Sequence, residues 1–164
     1  FINNRLLVGH IGDSRMYRLR GLEFIQLTED HSILQEQLNA GLITAEQAKY
    51  SVNRNLVTRA LGVEPEVPLE LNEFDVEVGD VYLLCSDGLT DMVDDSQIQL
   101  ILSMPDISLD SRAQSLIQLA NEHGGKDNIS VILVQVNKTF EKKRPKRKNL
   151  GLNHHMDNFF GWLK

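Results

Sequence analysis

Alternating apolar and polar positions dominate the first part of the chain. Residues 5–11, 14–20 and 22–28 each alternate at least in part, and glycines stand at the breaks between them. A period of two is typical of strands with one buried face, and glycine is common in the turns that join them. The pattern predicts a meander of about three antiparallel strands.

Helical spacing replaces this alternation after residue 28. Apolar residues on one side of the segment after Ser32 predict a helix that ends near Gly41. Thr44 and Gln47 have the spacing of a capping box, which predicts a second short helix through Tyr50. A helical pair of this size between strands is either a mobile lid over a site or a packed structural insertion.

The rest of the pattern returns to strands and then to helices. Strand-like runs occur at 67–74 and 80–86, and the glycine between them predicts a hairpin turn. Helical spacing predicts one helix after residues 94–96 and another over 108–123, and the apolar run 129–136 predicts a last strand. This order indicates an α+β layered domain and not a parallel βαβ array.

The composition is that of one folded domain. The chain has 164 residues, of which 41% are hydrophobic and 24% are charged, which is enough for one core. Its single cysteine, Cys85, cannot form an internal disulfide, and no apolar run approaches the roughly 20 residues that span a bilayer. Because no signal segment opens the sequence either, we expect a cytoplasmic protein.

Charge divides the chain after residue 137. Residues 1–137 hold 9 Lys/Arg and 21 Asp/Glu, a balance of −12, whereas residues 138–164 hold 8 Lys/Arg and 2 Asp/Glu, a balance of +6. We therefore expect a domain over 1–137 and a basic linker and tail over 138–164. An acidic body repels phosphate backbones, which argues against a nucleic-acid partner. The tail at 142–162 joins a basic run to an aromatic end, so membrane contact is an alternative to a solvated linker.

Two aspartates carry the strongest chemical signal. Asp87 follows the apolar run that ends at Cys85, and Asp127 precedes the apolar run 129–136, with glycines beside both. Carboxylates at strand ends, in a chain without a Cys/His cluster, suit a hard divalent cation such as Mg²⁺ or Mn²⁺. Each aspartate taken singly has the simpler alternative of a turn residue.

Asp13 and Asp91 extend this set of carboxylates. Asp91 follows Asp87 by four residues and either adds a ligand or caps the turn, and Asp13 is equally ambiguous. Carboxylates from separate loops can bind two such ions, and a water between the ions becomes hydroxide-like near neutral pH and can attack phosphorus in line. The sequence thus favours metal-assisted chemistry on a phosphate.

Other candidate groups are weaker. A cysteine-nucleophile phosphatase needs an arginine soon after the thiol, but acidic residues follow Cys85, so we expect a buried core residue there. His10 within a strand is either an acid/base group or a packed histidine, and His31 is either an acid/base group or a helix cap. The histidine pair at 154–155 is too isolated to form a metal site.

Five motifs occur in one order along the chain. They are His10-Ile11-Gly12-Asp13-Ser14-Arg15-Met16-Tyr17, Leu27-Thr28-Glu29-Asp30-His31-Ser32, Thr58-Arg59-Ala60-Leu61-Gly62, Leu84-Cys85-Ser86-Asp87-Gly88-Leu89-Thr90-Asp91 and Gly125-Lys126-Asp127-Asn128-Ile129-Ser130. Together they resemble the bacterial-type, metal-dependent serine/threonine phosphatases of the protein phosphatase 2C family, over about residues 1–137. The resemblance implies an α+β fold of two stacked antiparallel β-sheets flanked by helices, a four-layer α-β-β-α sandwich.

The resemblance also assigns roles to the aspartates. Asp87 and Asp127 match family residues that bind one of two catalytic Mg²⁺ or Mn²⁺ ions. Asp13 resembles the aspartate that, together with Asp87 and Asp91, holds a third and more weakly bound ion. Residues 33–57 fall where the family carries a variable flap that affects substrate choice.

The chain departs from the family pattern at its start. The family begins with a segment carrying a phosphate-binding arginine, followed by an Asp-Gly-x-Gly-Gly-His motif that supplies a metal-bridging aspartate and a histidine thought to be the general acid. No Asp-Gly-x-Gly-Gly occurs here. We expect these groups upstream of Phe1, so the chain is expected to be N-terminally truncated, to hold no catalytic residue of its own and to have uncovered sheet edges.

The function implied is hydrolysis of phosphoserine and phosphothreonine on proteins, by a metal-activated water at a binuclear Mg²⁺ or Mn²⁺ centre. The expected partner is a phosphorylated protein, with a serine/threonine kinase acting in opposition. The alternative is a phosphatase-like regulatory binding module without catalysis. Four retained candidate carboxylates favour the enzyme, because a binding module has no chemical need for them.

Overall fold

Two antiparallel sheets and a set of helices make up the part of the chain that the computed structural model describes, residues 1–48, 51, 56–63 and 65–140. The strands are β1 (Arg5–His10), β2 (Arg15–Arg20), β3 (Glu23–Gln26), β4 (Glu70–Asp75), β5 (Val81–Cys85) and β6 (Val131–Gln135). The helices are α1 (Ile33–Asn39), α2 (Ala45–Ala48), α3 (Asp87–Thr90), α4 (Asp95–Ser103) and α5 (Leu109–Glu122). Tyr50 and the tail predictions at 142–162 lie outside these described residues.

The sheet topology corrects two of the expected pairings. One sheet has the order β3-β2-β5-β6, and the other contains β1 and β4. The predicted three-stranded meander is wrong because β1 pairs with β4, although β2 and β3 do form a hairpin. The predicted hairpin around Gly79 is also wrong, since β4 and β5 belong to different sheets. Alternation shows that a segment is a strand, but contacts distant in sequence decide its partner.

The larger sheet has two buried faces, and its residues alternate between them. Tyr17 and Leu83 point to one face, where they pack with Ile98 of α4 and Leu116 of α5. The next residues along the strands face the other way: Tyr82 packs with residues of the smaller sheet in a second core. The layers therefore run from helices through the larger sheet to the smaller one, as expected for an α+β fold with stacked sheets.

Apolar side chains are exposed on both sheets of the described structure. Leu7 and Leu71, on the smaller sheet, are each 60% exposed. Leu84 and Ile132, at one end of the larger sheet, are 37% and 59% exposed and line a cavity of about 420 Å³ between the sheets. No described helix is long and apolar enough to cross a membrane.

Candidate metal centre

Asp13 lies in the turn that carries the chain from β1 in one sheet to β2 in the other. The turn uses Gly12 at φ +106°, a conformation that strongly favours glycine. Two residues after Asp13, Arg15 donates hydrogen bonds through Nε (2.9 Å) and Nη2 (2.7 Å) to the two carboxylate oxygens of Asp30. This bidentate ion pair anchors the chain immediately beyond the turn.

Asp87 and Asp91 are positioned by the short helix α3. The helix begins at Asp87, directly after β5 and its N-cap residue Ser86. Oδ1 of Asp87 accepts a hydrogen bond from the backbone N–H of Gly88 (2.8 Å). One turn later, the backbone N–H of Asp91 donates to the carbonyl oxygen of Asp87 (2.8 Å). Residues four apart lie on the same side of a helix, so Asp87 and the C-cap residue Asp91 face in one direction.

These three aspartates meet at one cavity of about 300 Å³. Asp13 comes from the β1–β2 turn, whereas Asp87 begins α3 and Asp91 is its C-cap residue. Residues from or next to α1 and α2 also line this cavity, namely Ser32, Leu34, Gln35, Leu38, Ala45 and Ala48. The first part of the segment matched to the family flap therefore forms a wall of the carboxylate cavity.

Asp127 lies beside this cavity and does not line it. It is exposed, and its Oδ1 accepts a hydrogen bond from the backbone N–H of Asn128 (2.6 Å). The loop that carries it is fixed to the start of α3, because Ser86 Oγ donates to the carbonyl oxygen of Asn128 (2.9 Å) and the N–H of Ser130 donates back to Ser86 Oγ (3.0 Å). The structure thus brings Asp127 next to the N-terminus of α3.

The pKa of Asp87 responds to the charges of two other candidate carboxylates. Its pKa is raised, first by burial and then by the negative charges of Asp13 and Asp127, against the lowering effect of the Gly88 N–H. A bound cation would relieve the repulsion that Asp13 and Asp127 exert on the Asp87 carboxylate. All four are hard oxygen donors, which is the ligand type that Mg²⁺ and Mn²⁺ prefer. The residues present therefore fit a divalent metal.

Comparison with known proteins identifies the family. A family profile described as Stage II sporulation protein E (SpoIIE) matches residues 37–137, more than half of the chain. The chain belongs to the SpoIIE/PP2C-type phosphatase domain family. The predicted family is thereby confirmed.

Relatives and solved structures agree with this assignment. Protein phosphatase PhpP of Streptococcus pneumoniae is 42% identical over 136 residues, which are 83% of this chain and 55% of PhpP. The crystal structure of the Mycobacterium tuberculosis serine/threonine phosphatase PstP/Ppp matches with a TM-score of 0.79 and 41% identity, over 84% of this chain and 57% of that one. The crystal structure of the catalytic domain of PstP in complex with two manganese ions matches with a TM-score of 0.72 and 42% identity, over 84% of this chain and 56% of that one. The predicted fold class is confirmed, and the chain spans about half the length of these proteins.

Cys85 is excluded as a nucleophile in this member of the family. The residue is 5% exposed and belongs to the core between the larger sheet and the helices. Burial raises the pKa of its thiol to about 12, so the thiolate required for attack is not formed near neutral pH. The prediction of a buried core residue is confirmed.

Sequence reasoning missed a polar cluster behind the Asp13 turn. His10, His31 and Glu70 place one nitrogen or oxygen each within 4.8 Å of one another. His31 does not cap α1, since that role belongs to Ser32, whose Oγ accepts from the N–H of Gln35 (3.2 Å). The signal that could have found the cluster is the position of His10 in the first family motif and of His31 in the second. Glu70 had no such signal.

Proposed function

We propose that the full-length protein hydrolyses phosphoserine and phosphothreonine on proteins at a binuclear Mg²⁺ or Mn²⁺ centre. The proposed substrate is a phosphorylated protein in the cytoplasm, and a serine/threonine kinase would act in opposition. The names of the relatives support protein dephosphorylation, and the two manganese ions bound to PstP support the metal. The finding that carries the proposal is the convergence of Asp13, Asp87 and Asp91 on one cavity, with the charge of Asp127 beside Asp87.

Each aspartate has a proposed place in the centre. Asp87 and Asp127 would hold one ion, and Asp13 and Asp91 would join Asp87 in holding a further, weaker one. When bound, such ions supply positive charge for the phosphoryl oxygens and a water that loses its proton near neutral pH. The raised pKa of Asp87 means that this carboxylate gains more than an isolated one from a neighbouring cation.

The test uses full-length protein and p-nitrophenyl phosphate with Mn²⁺. Asp87→Ala and Asp127→Ala should each lower kcat/KM at least about a hundredfold, as expected when a charged metal ligand is removed. Chelator should abolish the wild-type activity. Calorimetric titration with Mn²⁺ should show weaker binding in both variants, which is independent of turnover.

Asp110→Ala provides the matched control. Asp110 is an exposed aspartate in the first turn of α5, on a different element from the four candidate ligands. The activity and Mn²⁺ affinity of the Asp110→Ala variant should stay within about twofold of wild type, as is usual for surface substitutions. Wild-type turnover in both Asp87→Ala and Asp127→Ala would overturn the proposal.

A further inference from the structure

Two buried histidines contact the Asp13 turn from its two ends. Nε2 of His10 lies 2.8 Å from the carbonyl oxygen of Ser14, and Nδ1 of His31 lies 3.1 Å from the backbone nitrogen of Gly12. His10 is 7% exposed and His31 is 6% exposed, and the centroids of their rings are 4.9 Å apart. The residues immediately before and after Asp13 are therefore each bound to an imidazole.

His31 makes two hydrogen bonds with Gly12. Besides the side-chain contact, the backbone N–H of His31 donates to the carbonyl oxygen of Gly12 (2.9 Å). His31 is in turn fixed by the third family motif, because the N–H of Thr58 donates to its carbonyl oxygen (2.7 Å). Both polar backbone groups of Gly12 are thus tied to one residue that is itself held in place.

The hydrogen-bond partners determine the tautomer of each ring. A carbonyl oxygen only accepts, so Nε2 of His10 carries a hydrogen. The N–H of Gly12 only donates, so Nδ1 of the neutral His31 ring is unprotonated and its Nε2 carries the hydrogen, which points to Oε2 of Glu70 at 3.0 Å. Arg59 Nη1, at 3.3 Å from the same Nε2, is also a donor and therefore makes no hydrogen bond to it in this tautomer. The hydrogen bond to His31 lowers the pKa of Glu70, which keeps this partner a carboxylate.

A second metal site is the competing interpretation of this cluster. Nδ1 of His10 is buried with no hydrogen-bond partner, and the three residues could offer three ligand atoms. A metal on Nε2 of His31, however, would force a hydrogen onto Nδ1, where it would face the N–H of Gly12. The guanidinium of Arg59 also lies 3.3 Å from the same Nε2, and a cation there repels a metal ion. The contacts favour a structural role.

We propose that His31 is a positioning residue for Asp13, with Glu70 selecting the tautomer that accepts from Gly12. This inference rests on the proposed function, in which Asp13 helps to hold a weakly bound ion. Gly12 at φ +106° can move easily when its hydrogen bonds are lost, since glycine has many accessible conformations. The His31 acceptor therefore fixes the direction in which the Asp13 carboxylate enters the cavity.

Two variants of His31 in the full-length protein separate its two nitrogens. Asparagine places an amide oxygen near the position of Nδ1. His31→Asn therefore keeps an acceptor for the N–H of Gly12 and loses the hydrogen bond to Glu70. The amide nitrogen of glutamine reaches the position of Nε2. His31→Gln therefore keeps the hydrogen bond to Glu70 and loses the acceptor for the N–H of Gly12. A residue that only fills the core would respond similarly to both substitutions, whereas a positioning residue would not.

Hydrogen exchange of the Gly12 amide, measured by NMR without metal, is the first readout. Exchange in His31→Gln should be at least about tenfold faster than in wild type, whereas His31→Asn should stay within about threefold. The second readout is Mn²⁺ binding, followed by the EPR signal of the free ion. The weakest site should lose about tenfold in affinity in His31→Gln, the loss typical of a partner that orients a ligand, and much less in His31→Asn.

Asp13→Ala, measured in the same titration, distinguishes the possible failures. Loss of the weakest Mn²⁺ ion in this variant, with equal behaviour of the two His31 variants, would overturn the inference and leave the proposed function intact. Unchanged Mn²⁺ binding in Asp13→Ala would instead remove Asp13 from the proposed centre, and the inference with it. One equivalent of Zn²⁺ that binds wild type and Asp13→Ala but neither His31 variant would assign the cluster to a metal.

Discussion

Asp80 shows how much a single residue contributes to this fold. Its side chain is 0% exposed, and its two oxygens accept hydrogen bonds from Arg20 Nε (2.7 Å) and Nη2 (2.8 Å). The N–H of Glu77 and the hydroxyl of Tyr82 each donate to Oδ2 at 2.9 Å. A buried carboxylate with this many donors is fully satisfied and stays charged. The sequence indicated only the start of a strand-like run at this position.

The free energy of unfolding at acid pH should depend on the charge of the Asp80 carboxylate. Burial alone would raise the pKa of Asp80, but its hydrogen bonds and the charge of Arg20 outweigh burial and lower it. Because the folded pKa lies below the unfolded value of about 3.9, the stabilisation is complete above about pH 4 and is lost as pH falls through the folded pKa. The unfolding free energy, from urea titrations at a series of pH values, should fall on acidification.

Asp80→Asn should remove this part of the pH dependence. At pH 7 the variant should lose about 3–5 kcal/mol, the cost of leaving a buried partner unpaired. Asp75→Asn serves as the control, since the Asp75 side chain is 80% exposed and its ion pair with Arg5 contributes at most about 1 kcal/mol. Parallel pH profiles for wild type and Asp80→Asn would contradict this assignment.

At the scale of elements, α3 connects the fold to the candidate site. Its four residues convert the end of β5 into a turn that presents Asp87 and Asp91 together. Gly88 lets this turn approach the Asp127 loop, because a Cβ at this position would lie well inside van der Waals contact with the carbonyl oxygen of Asn128. The glycine is needed for proximity, not for a positive φ.

Gly88→Ala should therefore separate the two carboxylate loops. The clash is with backbone, which cannot rotate away, so the unfolding free energy should fall by about 1–3 kcal/mol and Mn²⁺ affinity should fall with it. Gly9→Ala is the control, since its nearest atoms are leucine side chains at 3.5 Å and beyond. Denaturant unfolding and Mn²⁺ titration of both variants in full-length protein check this; equal effects would contradict it.

At the scale of the whole molecule, the described structure leaves apolar surface uncovered. Leu7 and Leu71 are exposed on the smaller sheet, and Leu84 and Ile132 line the opening between the sheets. Exposed apolar surface of this kind is typical of faces that pack against another element. The Asp-Gly-x-Gly-Gly-His motif, which would supply the bridging aspartate of the proposed centre, does not occur in these 164 residues.

The 164-residue chain on its own should therefore differ from the full-length protein. We expect at most about one hundredth of the full-length Mn²⁺-dependent turnover of p-nitrophenyl phosphate, because these residues do not include the bridging ligand of the proposed centre. We also expect self-association that increases with concentration, measured by sedimentation velocity and reduced in a Leu7→Ser, Leu71→Ser double variant. Full turnover from a monomeric 164-residue chain would contradict both expectations.

The sequence by itself determined the class of most elements and the identity of the chemical groups. Strand and helix periods predicted β1, β2 and α5, because periodicity depends only on neighbours along the chain. The positions of Asp87 and Asp127 at strand ends also predicted them as candidate metal ligands. Family motifs in register carried the rest of the functional prediction.

Tertiary structure alone decided which elements meet. The pairing of β1 with β4, the placement of Asp13 beside α3 and the contact of His31 with Glu70 all join residues distant in sequence. No local pattern encodes such contacts, because they follow from how two sheets stack and where each turn crosses between them. The sequence therefore identified the candidate carboxylates, and the packing of the sheets placed Asp13 beside Asp87 and Asp91.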